Sequence, residues 1–162
     1  TYPPDNILAT TQAKEVDWSP PVWLAAVGTA FPFYRDRFKG AEGVMGIAGW
    51  NPKVKSAGAK EYFDAHVKKH QKEPDRWASA FAYASLQILE RCVAEVGLDR
   101  KKIKEMVDST EFRTVAGPIR FVKGTNVSTP GMVGQWQKGE FEIVWPKSLA
   151  TGTPVVPKPA WA

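Results

Sequence analysis

The side chains that most often carry chemistry are sparse in this sequence and poorly spaced for it. His66 and His70 are the only histidines, and their i, i+4 spacing puts them on one helix face. A metalloprotease helix needs Glu at position 67 to activate water, and that position is Val67. The pair lies in the basic run Lys68-Lys69-His70-Gln71-Lys72 and reads as part of a solvated face. Cys92 falls in an amphipathic helical run. A single thiol cannot form an internal disulfide, so it reads as a small core residue and leaves the redox compartment undecided. There is no Gly-x-Ser-x-Gly elbow for a nucleophilic serine. Neither Gly-x-Gly-x-x-Gly after a strand nor Gly-x-x-x-x-Gly-Lys-Ser/Thr occurs, so nucleotide phosphate binding lacks its usual motifs. Carboxylates are plentiful, yet no spacing marks a pair at catalytic separation. These residues point to binding and not to turnover, with no metal and no cofactor expected.

The elements that would position a binding site are those of one domain. The chain has 162 residues, an apolar fraction of 43% and seven tryptophans, which suit a packed core. No apolar run approaches the roughly 20 residues that span a bilayer. Thr1-Tyr-Pro-Pro has neither the basic start nor the apolar run of a signal peptide, as a mature chain would also lack. The net charge is +5. Its lysines are spread beside Glu and Asp along helical runs, which argues for a solvated face and against a nucleic-acid partner.

Along the chain, Asn6 to Thr11 reads as a short buried strand after a Pro-Pro-Asp turn. Val22 to Val27 reads as a second strand, and Gly28-Thr29-Ala30 leads from it into a short helix near Phe31 to Phe38. Val44 to Ala48 reads as a third strand. Short apolar runs separated by helix-length segments and Gly-rich turns imply βα units on a parallel sheet, an α/β fold. After Trp50-Asn51-Pro52 the texture becomes helical. Ser56 is the expected cap of a helix to about His70, with Ala59, Phe63 and Val67 on one face. A longer helix is expected from about Asp75 to Val96, with Trp77, Phe81, Ile88, Cys92 and Val96 along one side and Ala82, Leu86, Leu89 and Val93 beside them. Gly97 is its expected C-terminal cap. Asp99 caps the next helix, with a staple between Leu98 and Ile103, and that helix ends near Asp108-Ser109.

The late segment is a turn and short strand at Thr114 to Phe121, a polar crossing at Thr125 to Pro130, and a hairpin. In the hairpin, Met132 to Gln137 turns at Lys138-Gly139 into Glu140 to Trp145, which puts Phe141, Ile143 and Trp145 on one face. Pro146 ends it. The proline-bearing tail is expected to lie extended on the surface.

The order of these features resembles a known family. Gly28-Thr-Ala-Phe31, Glu42-Gly-Val-Met-Gly46, Trp50-Asn51-Pro52, a Tyr62-Phe63 helix and Ala82-Tyr83-Ala84 follow one another. They are followed by Gly97-Leu-Asp-Arg-Lys-Lys-Ile103, by Phe112 with Thr114 and Gly117-Pro118, by Gln135-Trp-Gln-Lys-Gly139, and by Val144-Trp145-Pro146. From Asn6 to Pro146 the chain is similar to the C-terminal half of a type I periplasmic solute-binding protein. The class is that of the branched-chain amino acid and amide receptors of ABC importers. That resemblance implies two Rossmann-like α/β lobes, each a parallel sheet flanked by helices, with the solute held in the cleft between them by hinge closure. It assigns residues 1–51 to the second lobe and 54–128 to a helical return to the first lobe. Residues 129–146 become a hinge crossing and second-lobe hairpin, and 147–162 an extended tail. The N-terminal half of the same polypeptide, with most of the first lobe, would then be a missing partner. An inner-membrane ABC permease would be a second partner, and the location would be periplasmic.

The resemblance also implies where a solute would touch. Thr10, Thr11, Thr29 and Phe31 stand as second-lobe contacts, Trp50 lies near the hinge, and Trp77 is an aromatic contact from the first lobe. The solute would be amino acid-like, a small carboxylate or aromatic. The residues around Trp77 depart from the branched-chain amino acid receptors, which leaves the solute open. A ligand-sensing domain of a receptor or regulator on the same fold is the alternative. An enzyme on an α/β scaffold finds no motif.

Overall fold

A computed structural model describes residues 2–161, so Thr1 and Ala162, the outer ends of the expected first segment and tail, lie outside the described residues. The chain divides into two compact units. Unit 1 is Thr1–Asn51, Asp75–Trp77 and Gly131–Ala162, and unit 2 is Pro52–Pro74 and Ala78–Pro130.

Unit 1 begins with a helix where a strand was expected. Helix α1 spans Pro3–Glu15, so Thr10 and Thr11 lie in its third turn and do not end a strand. Proline suits the first helical turn, because its missing N–H has no intrahelical acceptor there. The Asp5 carboxylate accepts the Tyr2 backbone N–H at 3.2 Å and closes that end. The buried stripe is Asn6, Thr10 and Ala13, spaced four and three residues apart. A polar and small-residue stripe carries almost no hydrophobic periodicity, while the apolar Leu8 and Val16 are exposed. The pattern therefore misled in both directions.

The second expected strand is also missing. Leu24 makes a single parallel bridge to Met45, and the Trp23 and Ala26 carbonyls accept from the amides of Met45 (2.8 Å) and Ile47 (3.0 Å). Ala26 has φ 63°, a left-handed conformation that breaks the extended run. A 3-10 turn at Gly28–Ala30 follows, then α2 at Pro32–Arg37, as expected. Strand β1, Met45–Ala48, replaces the third expected strand nearly residue for residue.

Unit 2 is built largely from elements that are neighbours in sequence. Helix α3, Ala59–His70, is preceded by Gly58 at φ 77° and not by a Ser56 cap. The Ser56 hydroxyl instead donates to the Val115 carbonyl at 2.6 Å. Ala59 and Tyr62 are its buried residues, with Phe63 and Val67 half-buried. Helix α4 is Ser79–Val96, four residues later than expected at its start. The Arg76 carbonyl is taken up by the Gly49 and Trp50 amides at 2.9 and 3.2 Å, which holds Asp75–Trp77 outside the helix and within unit 1. The buried stripe of α4 is Ala80, Ala84, Ile88 and Cys92, strictly four apart. It is narrower than expected, and Leu86 and Leu89 are exposed. Gly97 closes α4 with its amide on the Val93 carbonyl.

Helix α5, Arg100–Ser109, has the predicted cap: Asp99 Oδ1 accepts the amides of Lys101 and Lys102 at 2.9 and 3.2 Å. The expected staple does not form, because Leu98 is 85% exposed. Strands β2 (Glu111–Thr114), β3 (Gly117–Val122) and β4 (Thr125–Asn126) form an antiparallel meander. The polar stretch after β4 is ordered: the Asn126 Oδ1 accepts the amides of Ser128 and Thr129, and the Ser128 hydroxyl donates to the Pro118 carbonyl at 2.9 Å.

The hairpin returns to unit 1 as β5 (Met132–Gln137) and β6 (Glu140–Trp145). Lys138 and Gly139, with φ 53° and 81°, make the tight turn. Strand β5 is central and antiparallel to both β1 and β6. The parallel sheet expected of the first 51 residues is thus represented, among the described residues, by the Leu24–Met45 bridge. Phe141 and Ile143 are buried as expected, whereas Trp145 is exposed. A register shift at Val133–Gly134 accompanies that loss of alternation. Strand β3 belongs to a different sheet from β5 and β6. Among the described residues, no helix is long and apolar enough to cross a membrane.

Candidate ligand-binding residues

The six residues singled out from sequence all lie in unit 1. Trp77, expected as a first-lobe contact, is there with residues 1–51 because the Gly49 and Trp50 amides bind the Arg76 carbonyl. The six divide by exposure. Thr10, Thr29 and Trp50 are fully buried. Thr11 and Phe31 are half-buried, and Trp77 is 40% exposed. A buried polar group must find a partner, and each of these threonines has one. Thr10 shares a 2.6 Å hydrogen bond with the Tyr34 hydroxyl. Thr29 donates to the Met45 carbonyl at 2.7 Å and to the Ala26 carbonyl at 3.1 Å. Its own carbonyl accepts from Trp136 Nε1 at 2.7 Å.

This network fixes the Gly28–Ala30 turn against the sheet. A Cβ on Gly46 would lie 2.8 Å from both the Ala30 amide and the Thr29 hydroxyl. The turn can approach β1 this closely only because position 46 has no side chain. Trp136 is buried, stacks edge-on against Phe141 with ring centroids 4.9 Å apart, and has the Arg35 guanidinium 5.3 Å from its ring centre. Burial pushes the Tyr34 phenol up to about 12, against the opposite pull of Thr10 and Trp23. Sequence reasoning missed Tyr34, Trp136 and Gln135. Gln135 left a faint signal, as a polar residue inside a strand flanked by apolar positions.

The more open residues sit at the edges of this core. Phe31 lies 5.5 Å from Phe33. Thr11 lines a shallow groove of about 430 Å3 with Lys14, Glu15, Arg37 and Phe38. Trp77 follows Arg76, with its amide on the Asp75 carboxylate at 2.8 Å. The geometry therefore gives a hydrogen-bonded turn followed by the half-buried Phe31 ring, with the exposed Trp77 indole elsewhere in the same unit. Such surfaces offer apolar and stacking contact with a few polar groups.

In unit 2 the His66 and His70 rings lie 4.6 Å apart, and His66 Nδ1 is hydrogen-bonded to the Lys72 carbonyl at 2.9 Å. No group of three or more His, Cys, Asp or Glu side chains among the described residues is placed to hold a metal ion.

Comparison with known proteins agrees on one family. The periplasmic binding protein family matches residues 1–140. A leucine-binding protein from Thermotoga maritima aligns over 88% of this chain and 41% of its own, with TM-score 0.72 and 22% identity. The branched-chain amino acid transporter substrate-binding protein of Streptococcus pneumoniae, solved with isoleucine, covers 98% of this chain and 43% of its own, with TM-score 0.72 and 20% identity. A solute-binding protein of an ABC transporter from R. palustris, solved with benzoate, covers 75% of this chain and 32% of its own at TM-score 0.55 and 18% identity. The chain spans less than half the length of these structures. The fold they share is the type I periplasmic binding protein fold, and this chain belongs to the periplasmic binding protein family.

Proposed function

We propose that this chain is the C-terminal part of an extracytoplasmic solute receptor for an ABC importer. The observation that carries this reading is the family match across residues 1–140. Similarity to solute-binding structures solved with isoleucine and with benzoate supports it. In this reading unit 1 belongs to the second lobe and unit 2 to the first. The N-terminal half of the same polypeptide completes the first lobe, and the whole protein works in the periplasm. Closure about the hinge traps the solute, and an inner-membrane permease recognises the closed form.

The solute is a small carboxylate, amino acid-like or aromatic. Phe31 and Trp77 supply ring contacts, and Thr11 a hydroxyl at the rim. Thr10, Thr29 and Trp50 act from beneath, because their side chains are spent on the core: they set the backbone on which the solute rests. Differential scanning of the full-length protein against amino acids and aliphatic and aromatic carboxylates tests this. A true solute at about 1,000 times its Kd adds about 4 kcal/mol of stability. A panel in which no compound raises Tm overturns the proposal.

A further inference from the structure

The C-terminal segment is tied down more thoroughly than an extended tail needs to be. After a 3-10 turn at Lys147–Leu149, the amides of Thr151 and Gly152 donate to the Ile143 carbonyl at 2.8 and 3.2 Å. The Gln137 side chain donates to the Thr153 carbonyl at 2.8 Å. The buried Gln135 amide then pairs with Val155 in both directions: Nε2 donates to the Val155 carbonyl at 2.9 Å, and Oε1 accepts the Val155 amide at 2.8 Å. A side-chain amide here imitates a strand neighbour.

Beyond Val155 the segment reaches the run before the Gly28–Ala30 turn. The Lys158 amide donates to the Pro21 carbonyl at 2.8 Å, and its ammonium donates to Ser19 Oγ at 2.9 Å and the Pro159 carbonyl at 2.6 Å. That ammonium lies 3.6 Å from the centre of the Trp161 ring, and Lys158 is only 5% exposed. Its hydrogen-bond partners among the described residues are neutral oxygens, and burial pushes its pKa below the ordinary lysine value. Trp161 packs edge-on against Trp23 at 5.5 Å, Trp23 against Trp18 at 5.5 Å, and Trp161 Nε1 donates to the Trp18 carbonyl at 2.9 Å. Gly43 lets the chain pass: a Cβ there would meet the Lys158 Cβ at 2.6 Å. Burying an ammonium is costly unless its hydrogen bonds are met. The contacts around it therefore have to be held together as a set.

We propose that residues 151–161 form a strap that positions the Trp23–Phe31 segment, with Lys158 and Trp161 as its positioning residues. The strap grips Pro21 and Trp23. Trp23 and Ala26 in turn receive the Met45 and Ile47 amides, and Ala26 accepts the Thr29 hydroxyl. The strap thus acts on the turn that the proposed function treats as a solute contact, and in that respect it rests on that reading.

Native-state amide hydrogen exchange on the full-length protein, recorded without solute, tests the strap separately from solute binding. Trp161→Ala is expected to speed exchange about tenfold or more at Val155 and Lys158, and also at Met45 and Ile47, through local opening. The Trp136 amide, which donates to Val44, should keep its wild-type rate, and Trp161→Phe should restore all four. If Trp161→Ala does not fold, Lys158→Met carries the same test with a smaller rise at the same four amides. Unchanged rates at Met45 and Ile47 would overturn the positioning role, as would an equal rise at Trp136. Faster exchange at the four amides as expected, with no solute bound by any panel compound, would leave the strap standing and remove the receptor function.

Discussion

Unit 1 and unit 2 are held together by different kinds of contact. In unit 1 the buried polar groups pair across long stretches of chain: Trp136 with Thr29, Gln135 with Gly43, Asn51 with Phe141, Lys158 with Pro21. In unit 2 polar groups pair mostly with near neighbours, as Asp99 with Lys101, Thr114 with Gly117 and Asn126 with Ser128, while Ser56 to Val115 and Val115 to Gln87 reach further. The charges divide the same way. Unit 2 carries 14 Lys and Arg against 9 Asp and Glu, whereas unit 1 carries 8 of each, so the whole net charge of +5 lies on unit 2. The difference suggests that unit 2 presents a solvated basic surface over locally encoded helices, while unit 1 spends its polar groups on fixing a turn.

The largest expected effect tests the long-range network. Trp136→Ala removes a fully buried indole and strands the Thr29 carbonyl, and should cost about 3–5 kcal/mol in chemical denaturation. A loss under about 1 kcal/mol would mean that unit 1 does not depend on this pair.

Next comes pH. The Tyr34 phenol is raised from 10.0 to about 12 in the fold. A raised folded pKa gives stability that is fully present below the unfolded value and lost as pH rises through the folded one. Unit 1 should therefore weaken between about pH 10 and 12, by about 2–3 kcal/mol in all. Comparing denaturation of wild type with Tyr34→Phe isolates this group, and the variant should show a flatter alkaline limb.

Gly46→Ala should cost about 1–3 kcal/mol, because the new methyl drives the Thr29–Ala30 backbone off β1. Backbone NMR shifts of Thr29 and Ala30 should move most. On the local side of the comparison, Asp99→Ala should cost only about 1 kcal/mol, with exchange rising at Lys101 and Lys102 and nothing changing in unit 1.

The same contrast explains what could be read in advance. The Asp99 cap, the Gly97 stop and the Lys138-Gly139 turn are local devices, and each is spelled by residues within a few positions of one another. Helix α1 was not legible, because its buried face is Asn6, Thr10 and Ala13, chosen for hydrogen bonding and close packing and not for hydrophobicity. The Val22–Val27 run looked like a strand from its composition, yet its extended course is broken at Ala26 and it holds one parallel bridge. Ser56 looked like a cap, but Val115, distant in sequence, claimed its hydroxyl. The Gly28–Ala30 turn that carries Thr29 was legible, and the resemblance singled out Thr29 and Phe31 there, whereas the side chains that hold the turn, Tyr34, Trp136 and Lys158, announce themselves only through partners far along the chain.

The receptor reading is tested most directly by calorimetric titration of the full-length protein with amino acids and small aliphatic and aromatic carboxylates. The account predicts saturable binding of one solute per polypeptide, weakened about tenfold or more by Trp77→Ala or Phe31→Ala through lost ring contact. No saturable heat from any compound in the panel would contradict it.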